Sequence, residues 1–179
     1  MKGNKIVEIT SISMMAACIS ICSWINIPFI VPFTLQTFGV FLALKVLGGK
    51  RGTISIALYI ILGLIGMPVF SGFRGGLYHI MGPTGGYISG FLVTGLVYYL
   101  LKRFFGDSVH TICIMIVSLI PCYLFGSIWF AIAYTYLGKP IHFLHIIGIC
   151  IVPFIVPDIL KILLANFIGE KLNVINSER

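Results

Sequence analysis

The chain has 179 residues, of which 59% are hydrophobic and 9% are charged, and its mean hydropathy is +1.08. Since soluble domains carry about 25% charged residues, this composition excludes a soluble domain and indicates an integral membrane protein. The net charge of +7 does not indicate nucleic-acid binding, because the basic residues are dispersed over the short loops between apolar runs.

The apolar runs lack the two-residue alternation of membrane strands, so they predict helices that span the bilayer. Five predicted spans cover residues 6–27, 33–47, 53–67, 84–101 and 109–137. A turn-rich connection precedes the second span, and a glycine-rich connection at 68–83 precedes the fourth. Together with a sixth span near the C-terminus, they predict an all-α membrane protein with one transmembrane helical bundle domain over residues 1–179.

Two prolines interrupt the last apolar stretch, because proline disfavours helical geometry in the residue before it. We expect a short extra helix over 141–152, which lies at or dips into the membrane interface. The sixth span is then expected to begin at Pro157, since proline is favoured at the first helical position. This start places Asp158 in the first turn, where the helix dipole favours a carboxylate.

The distribution of basic residues predicts the orientation of the bundle. With both termini in the cytoplasm, Arg74 and Lys139 fall outside and Lys161 lies within the last span. The remaining nine fall on the cytoplasmic side, and they are Lys2, Lys5, Lys45, Lys50, Arg51, Lys102, Arg103, Lys171 and Arg179. Because cytoplasmic loops are enriched in Lys and Arg, this bias predicts six transmembrane helices with both termini cytoplasmic.

The last span contains an ionisable pair, Asp158 and Lys161, in otherwise apolar sequence. A charge in a bilayer costs a few to more than ten kcal/mol, and such residues usually face a cavity and carry function. At i and i+3 on one helix face, the two side chains are close enough to be partners. The pair predicts a site for a polar ligand near the outer face, and a structural ion pair without a ligand is the alternative.

Nine of the 20 glycines fall between Gly63 and Gly90. Glycine allows backbone geometries and close approaches that other residues forbid. One interpretation is an external hinge with tight helix packing. The other is a lid over a ligand, which carries aromatic rings and Arg74, whose guanidinium suits a carboxylate.

The remaining reactive residues form no recognisable catalytic or metal-binding set. The five cysteines lie in apolar runs without a C-x-x-C motif, which indicates small buried hydrophobic residues. His142 and His145 have no carboxylate or cysteine nearby in sequence, so they are interpreted as interfacial polar groups. The sequence has no G-x-x-x-x-G-K-[ST] motif and no serine with a recognisable histidine partner. We expect no metal, no cofactor and no enzymatic activity.

These motifs resemble the BioY family, the biotin-specific substrate-binding (S) components of energy-coupling factor (ECF) transporters. The resemblance covers residues 32–161, and its motifs are specific when taken together. It rests on PFTLQTFGV at 32–40, on the glycine-rich segment 59–91 with PTGGY at 83–87, and on PFxxPDxxK at 153–161.

The resemblance implies a six-helix protein of the cell membrane that binds biotin with high affinity from outside. It also implies a partnership with a transmembrane coupling subunit and two ATP-binding cassette (ABC) ATPases, which supply the energy. In such S components an A-x-x-x-A pattern in the first helix docks on the coupling subunit. This chain departs from that pattern and offers Ser13-x3-Ala17 or Ala16-x3-Ser20, which also suit packing within the bundle.

The chemistry of biotin suggests roles for the candidate residues. Asp158 is expected to accept a ureido N–H, while Lys161 is expected to donate to the ureido carbonyl or pair with the tail carboxylate. Arg74 is expected to meet the carboxylate. Neutral hydrogen bonds are expected from Gln36, Tyr59 and Tyr87, and an apolar ring site from Phe33, Phe70 and Phe73.

Two other functions compete with biotin binding. One is an S component or carrier for another small vitamin, such as thiamin or riboflavin. The other is a membrane enzyme that uses Asp158 and Lys161 as acid and base, and the missing nucleophile or metal set argues against it.

Overall fold

The computed structural model describes residues 2–28, 30–106, 109–139 and 141–177. The predicted cytoplasmic charge of Arg179 therefore lies outside the described residues. The described ranges are mostly helical, with one short antiparallel ribbon. In chain order the elements are α1 (Lys2–Trp24), β1 (Asn26–Ile27), β2 (Phe33–Thr34), α2 (Gln36–Leu64), α3 (Leu77–Met81), α4 (Gly85–Phe105), α5 (Thr111–Tyr136), α6 (Phe143–Cys150) and α7 (Val152–Ser177).

Five helical segments in the described ranges are long and apolar enough to cross a membrane. They are Lys5–Trp24, Gln36–Leu64, Gly85–Phe105, Thr111–Tyr136 and Phe143–Leu172, the last of which combines α6 with most of α7. The helical class predicted from the apolar runs is confirmed. The first, fourth and fifth spans correspond to α1, α4 and α5, with shifts of a few residues at their ends.

Helix α2 turns back on itself at Gly48, whose φ of 77° and ψ of 168° are not helical. A residue with a side chain rarely adopts this positive φ. A Cβ placed on Gly52 would lie 2.7 Å from the Cα of Leu44, although eight residues of continuous helix extend about 12 Å. The limbs 36–47 and 49–64 therefore pack side by side, and they correspond to the second and third predicted spans.

The prediction that the last span begins at Pro157 is wrong, because α7 begins at Val152. Pro153 falls in the first turn of α7, where backbone N–H groups have no helical partner, so it removes no bond. Pro157 removes only one hydrogen bond from the helix interior. Asp158 consequently lies beyond the first turn and is not placed at the positive end of the helix dipole. The predicted short helix exists, with the narrower bounds of α6.

Several charged side chains meet at one end of the bundle. We call this end the basic end. It includes the start of α1, the turn at Gly48 and the C-terminal half of α7. Arg51 Nε lies 2.8 Å from Glu8 Oε1 there, and Lys45 Nζ lies 3.2 Å from Glu170 Oε1. These contacts place Glu8 of α1 and Glu170 of α7 at the same end of the bundle.

The opposite end carries the β1–β2 ribbon and the glycine loop, which we define as residues 65–84, including α3. The ribbon pairs Asn26 with Thr34 and Ile27 with Phe33. The apolar core lies between α1, α2, α4, α5 and α7. A second apolar cluster joins α5, α6 and the start of α7 on the loop side, and it contains Phe130, Ile146 and Phe154.

Candidate functional site

Asp158 and Lys161 form a buried polar cluster between α5, α7 and the ribbon. The two residues are only 3% and 7% exposed, and Lys161 Nζ donates to Asp158 Oδ1 at 2.8 Å. Tyr123 Oη on α5 donates to the other carboxylate oxygen, Oδ2, at 2.6 Å. The Lys161 ammonium also lies 4.3 Å from the centroid of the Phe33 ring. Each charge is therefore held by at least two groups.

The charges of Asp158 and Lys161 compensate each other, so the cluster is close to electrically neutral as a whole. Removing two charges from water costs several kcal/mol per ion, which their mutual attraction offsets only with good geometry. A buried ion pair is for that reason weak evidence for stability. In a membrane helix, ionisable side chains more often mark a binding pathway.

The cluster forms part of the wall of an inner cavity of about 70 Å³. The cavity lies between α2, α4, α5 and α7, with the ribbon and the glycine loop above it. Its wall combines a few polar groups with apolar and aromatic side chains, as is typical of small-molecule sites. The lining residues are Val31, Pro32, Thr34, Gln36, Thr37, Ser71, His79, Thr84, Tyr87, Ile88, Phe91, Leu119, Cys122, Tyr123, Cys150, Phe154, Asp158 and Lys161.

A second, larger cavity of about 780 Å³, which we call the outer vestibule, adjoins the inner one. Its wall includes Arg74 and four large aromatic side chains, Tyr78, Trp129, Tyr134 and Tyr136. Both cavities share four wall residues, which are Pro32, Ser71, His79 and Thr84. The shared wall makes the two cavities consecutive, with the ion pair at the inner end.

Gln36 reaches the inner cavity from the start of α2, but Tyr59 and Phe70 do not line it. Gln36 Nε2 donates to Tyr59 Oη at 2.5 Å, across the two limbs of α2. The Tyr59 ring meets the Phe70 ring edge-on at 5.5 Å between centroids, and both residues are fully buried. A Cβ on Gly63 would overlap the Phe70 ring, so this glycine makes room for it. Tyr59 and Phe70 therefore support Gln36 from behind.

Tyr87 lines the inner cavity from α4 and is fixed by its neighbours on α5. Its hydroxyl lies 3.1 Å from Ser127 Oγ. A Cβ placed on Gly126 would lie 2.3 Å from the Tyr87 ring, so the ring packs directly on the backbone of α5. These contacts fix the Tyr87 ring on the wall of the inner cavity.

Side chains of α1 and α5 hold the glycine loop. Trp24 Nε1 donates to the carbonyl of Pro68 at 2.8 Å, and the neighbouring Ser23 hydroxyl donates to the carbonyl of Val69. On the other side, Trp129 Nε1 donates to the carbonyl of Gly82 at 3.0 Å. The loop therefore has fixed attachments on both sides of the vestibule.

Two aromatic residues of the glycine loop point in different directions. Phe73 has a positive φ of 57°, is 64% exposed and stacks on Trp24 at 5.0 Å, so it lies outside the inner cavity. His79 stacks on Phe70 at 5.5 Å and faces both cavities. Burial lowers the pKa of His79, and the positive charge of Arg74 lowers this pKa further. His79 is therefore a neutral wall group at neutral pH.

The structure brings together most of the residues proposed from the sequence. Asp158, Lys161, Gln36 and Tyr87 line the inner cavity. Phe33 contacts the Lys161 ammonium and stacks on Phe154, with 5.3 Å between ring centroids. Arg74 lies in the wall of the vestibule rather than of the inner cavity.

Sequence reasoning missed Tyr123, which makes the shortest contact to Asp158. A buried carboxylate requires hydrogen-bond donors. A hydroxyl group within an apolar span, such as that of Tyr123, was therefore the signal that could have indicated a partner for Asp158. His79, in the wall of both cavities, was also missed. Within the described ranges, no group of three or more His, Cys, Asp or Glu side chains is arranged to hold a metal ion.

Comparison with known proteins places this geometry in context. The sequence model of the BioY family matches residues 1–177. A protein of Pyrococcus horikoshii named "Probable biotin transporter BioY" is 40% identical over 166 residues, covering 92% of this chain and 95% of that protein. The "Biotin transporter BioY" of Thermotoga maritima is 34% identical, with 96% of this chain and 99% of that protein covered.

A solved structure resembles the fold over nearly its whole length. It is described as the S-component for biotin from an ECF-type ABC transporter. The TM-score is 0.83 at 30% sequence identity, and the match covers 97% of this chain and 94% of that chain.

Proposed function

The chain belongs to the BioY family, and from this premise we propose that it is the biotin-binding S component of an ECF-type ABC transporter. It is a multi-pass integral membrane protein of the cell membrane and a transport protein rather than an enzyme. The observation that carries the proposal is the buried Asp158–Lys161–Tyr123 cluster in the wall of the inner cavity. A rigid polar ligand with both donors and acceptors suits this cluster.

The ureido ring of biotin is assigned to the inner cluster. Asp158 and Lys161 present an acceptor and a donor side by side, 2.8 Å apart, which matches a ureido N–H and the ureido carbonyl. Both charges already have partners, so the neutral ring suits the cluster better than a carboxylate does. Gln36 and Tyr87 supply neutral hydrogen bonds, and Phe33 contributes apolar packing beside the bicycle.

The tail carboxylate of biotin is assigned to Arg74. Among the residues that the structure describes, no carboxylate lies within ion-pair distance of Arg74, whereas Lys161 is already paired. A full negative charge therefore gains more at Arg74, where it meets a guanidinium with free donors. This assignment directs the tail outwards, from the inner cavity into the vestibule.

For the topology we propose six membrane crossings with both termini cytoplasmic, in one bundle domain that comprises the whole chain. The two limbs of α2 count as separate crossings, which the Gln36–Tyr59 hydrogen bond between them supports. The contacts between Glu8 and Arg51 and between Lys45 and Glu170 support a common location for both ends of the chain. Since the sequence concentrates Lys and Arg at this basic end, we assign it to the cytoplasm.

The proposed partners are a transmembrane coupling subunit and two ABC ATPases. Of the two small-residue pairs in α1, Ala16 and Ser20 are buried within the bundle, while Ser13 and Ala17 are exposed. The exposed pair is available for close packing against a second membrane protein. Co-purification of the Ser13→Phe/Ala17→Phe variant with the coupling subunit tests this assignment, and undiminished co-purification would exclude it.

Identification of the bound ligand tests the proposed function. The protein is purified from cells grown with biotin, thiamin and riboflavin, and the co-purified small molecules are identified by mass spectrometry. Biotin is the expected ligand, and calorimetric titration of ligand-free protein should then show saturable biotin binding. Recovery of thiamin or riboflavin in its place, or turnover of a bound ligand, would overturn the proposal.

A further inference from the structure

The outer vestibule is far larger than the inner cavity. Its volume is about 780 Å³, against about 70 Å³ for the inner cavity. Pockets of about 300–1,000 Å³ accommodate drug-sized ligands. If the tail carboxylate ends at Arg74, most of the vestibule remains unfilled by biotin.

The composition of the vestibule wall favours an extended ligand that carries a negative charge. Arg74 is the one fixed charge among the described lining residues, and no acidic side chain is among them. Tyr78, Trp129 and Tyr136 provide broad aromatic surface with polar edges, which suits flexible chains that contain amide groups. At the shared wall, the Ser71 and Thr84 hydroxyl groups lie where the biotin tail would leave the inner cavity.

We propose that the outer vestibule binds the lysine part of biotin amides. The protein then binds biotinyl-lysine and short biotinyl peptides as well as free biotin. This inference rests on the proposed function, because it needs the ureido ring in the inner cavity. In biotinyl-lysine the tail carboxyl is an amide and has lost its charge. The lysine part adds an α-carboxylate together with an α-ammonium, and its flexible chain brings the carboxylate to Arg74 on the glycine loop.

Comparative titration of the purified full-length protein in lipid nanodiscs tests the inference. The probes are biotin, biotin primary amide and biotinyl-lysine. Biotinyl-lysine should bind within about tenfold of biotin, and the primary amide, which lacks a carboxylate, more weakly than both. In Arg74→Ala the difference between biotinyl-lysine and the primary amide should disappear.

A pair of tryptophan variants on α5 separates the vestibule from general effects on the bundle. Ala133 lines the vestibule, whereas Thr135 is exposed and is not among the lining residues. Ala133→Trp should weaken binding of biotinyl-lysine by about tenfold or more, and that of biotin by much less. Thr135→Trp should change neither affinity, and biotin binding by both variants confirms that they are folded.

The possible results identify which proposal fails. If biotin binds but biotinyl-lysine does not, the vestibule inference is wrong and the proposed function stands. If biotinyl-lysine binds and Ala133→Trp weakens both ligands equally or neither, the lysine part does not occupy the vestibule. If no biotin compound binds the wild-type protein, the proposed function itself is wrong.

Discussion

Two ion pairs in this protein have the same length and opposite surroundings. Lys161 Nζ lies 2.8 Å from Asp158 Oδ1 in the interior, and Arg51 Nε lies 2.8 Å from Glu8 Oε1 at the basic end. The side chains of the interior pair are 8% and 5% exposed, while those of Arg51 and Glu8 are 54% and 38% exposed. Distance alone therefore does not distinguish the two pairs.

The difference in burial determines what each pair contributes. An exposed pair is worth about 0–1 kcal/mol, because water solvates the separated charges almost as well. Loss of one partner from a buried pair costs about 3–5 kcal/mol, since the other charge stays uncompensated. The interior pair is therefore sensitive to substitution and suited to a ligand that adds further hydrogen bonds. The exposed pair is expected to tolerate change.

The largest expected effect comes from breaking the interior pair. Asp158→Asn removes the charge that compensates Lys161 and one proposed ureido acceptor, so biotin affinity should fall by about 100-fold or more. Isothermal titration calorimetry measures the change. The matched control is Glu8→Gln in the exposed pair, which should leave affinity within about twofold. Equal effects of the two substitutions would contradict the comparison.

The partner charge gives a second form of the same test. Lys161→Ala should weaken biotin binding far more than Lys139→Ala, which removes an exposed cation. Similar affinities for these two variants would remove the case for Lys161 as a ligand group.

Tyr123→Phe sharpens the comparison within the interior cluster. The substitution keeps the ring but removes the hydroxyl that donates to Asp158 at 2.6 Å. A hydrogen bond to a charged group contributes about 1.5–3 kcal/mol, so biotin affinity should fall by about 10- to 100-fold. Tyr99→Phe, near the turn at Gly48, is the control and should have no measurable effect. An unchanged affinity for Tyr123→Phe would show that Asp158 does not depend on this donor.

Arg74 differs from the cations of both ion pairs, because it is exposed and has no acidic partner among the described residues. Arg74→Ala should lower biotin affinity by about tenfold, since a partly solvated charge pair is weaker than a buried one. The same substitution should not affect binding of biotin primary amide, which has no carboxylate. A parallel loss for both ligands in calorimetric titration would place the carboxylate elsewhere.

His79 is half-buried, so its exposure is intermediate between those of the two ion pairs. It lies in the wall that the two cavities share. Because its pKa in the folded protein is below the unfolded value of about 6.5, the unfolded chain takes up a proton first as the pH falls. The stability contributed by neutral His79 is therefore complete above about pH 6.5 and decreases as the pH falls towards the folded pKa.

Thermal unfolding at about pH 7.5 and about pH 5.5 measures this effect, which is expected to be the smallest of the series. The unfolding temperature should be lower at the acid pH, and the drop should be smaller in His79→Phe, which retains a ring against Phe70. His110→Phe, at an exposed position, should show the full drop. An equal drop in unfolding temperature in the wild type and both variants would exclude His79 as the titrating group.

Much of the helical framework could be predicted from the sequence, because apolar runs in a membrane leave few alternatives to helices. The second and third predicted spans are separated by residues 48–52, and the chain turns there through a positive φ at Gly48. The start of α7 could not be predicted in this way. Proline rules describe local preferences, whereas packing of α7 against α2 and α5 compensates for the single bond that Pro157 removes.

The charged residues of the candidate site could also be predicted, since an ionisable side chain in an apolar span has few structural explanations. Tyr123 could not, because its contact with Asp158 joins residues that are 35 positions apart on different helices. For the same reason, the sequence did not indicate that Gln36 lies on the cavity wall while Tyr59 and Phe70 lie behind it. These distinctions depend on which helix faces meet.

The central claim is that the interior cluster serves the ligand rather than the stability of the fold. The triple variant Asp158→Leu/Lys161→Met/Tyr123→Phe replaces the whole cluster with apolar side chains of similar size. Thermal unfolding with and without saturating biotin is the direct test, because a ligand that binds the folded state raises the unfolding temperature. Without biotin, the variant should unfold at the wild-type temperature or above it. Biotin should stabilise only the wild type. A variant that is much less stable without biotin, or that biotin still stabilises, would contradict the claim.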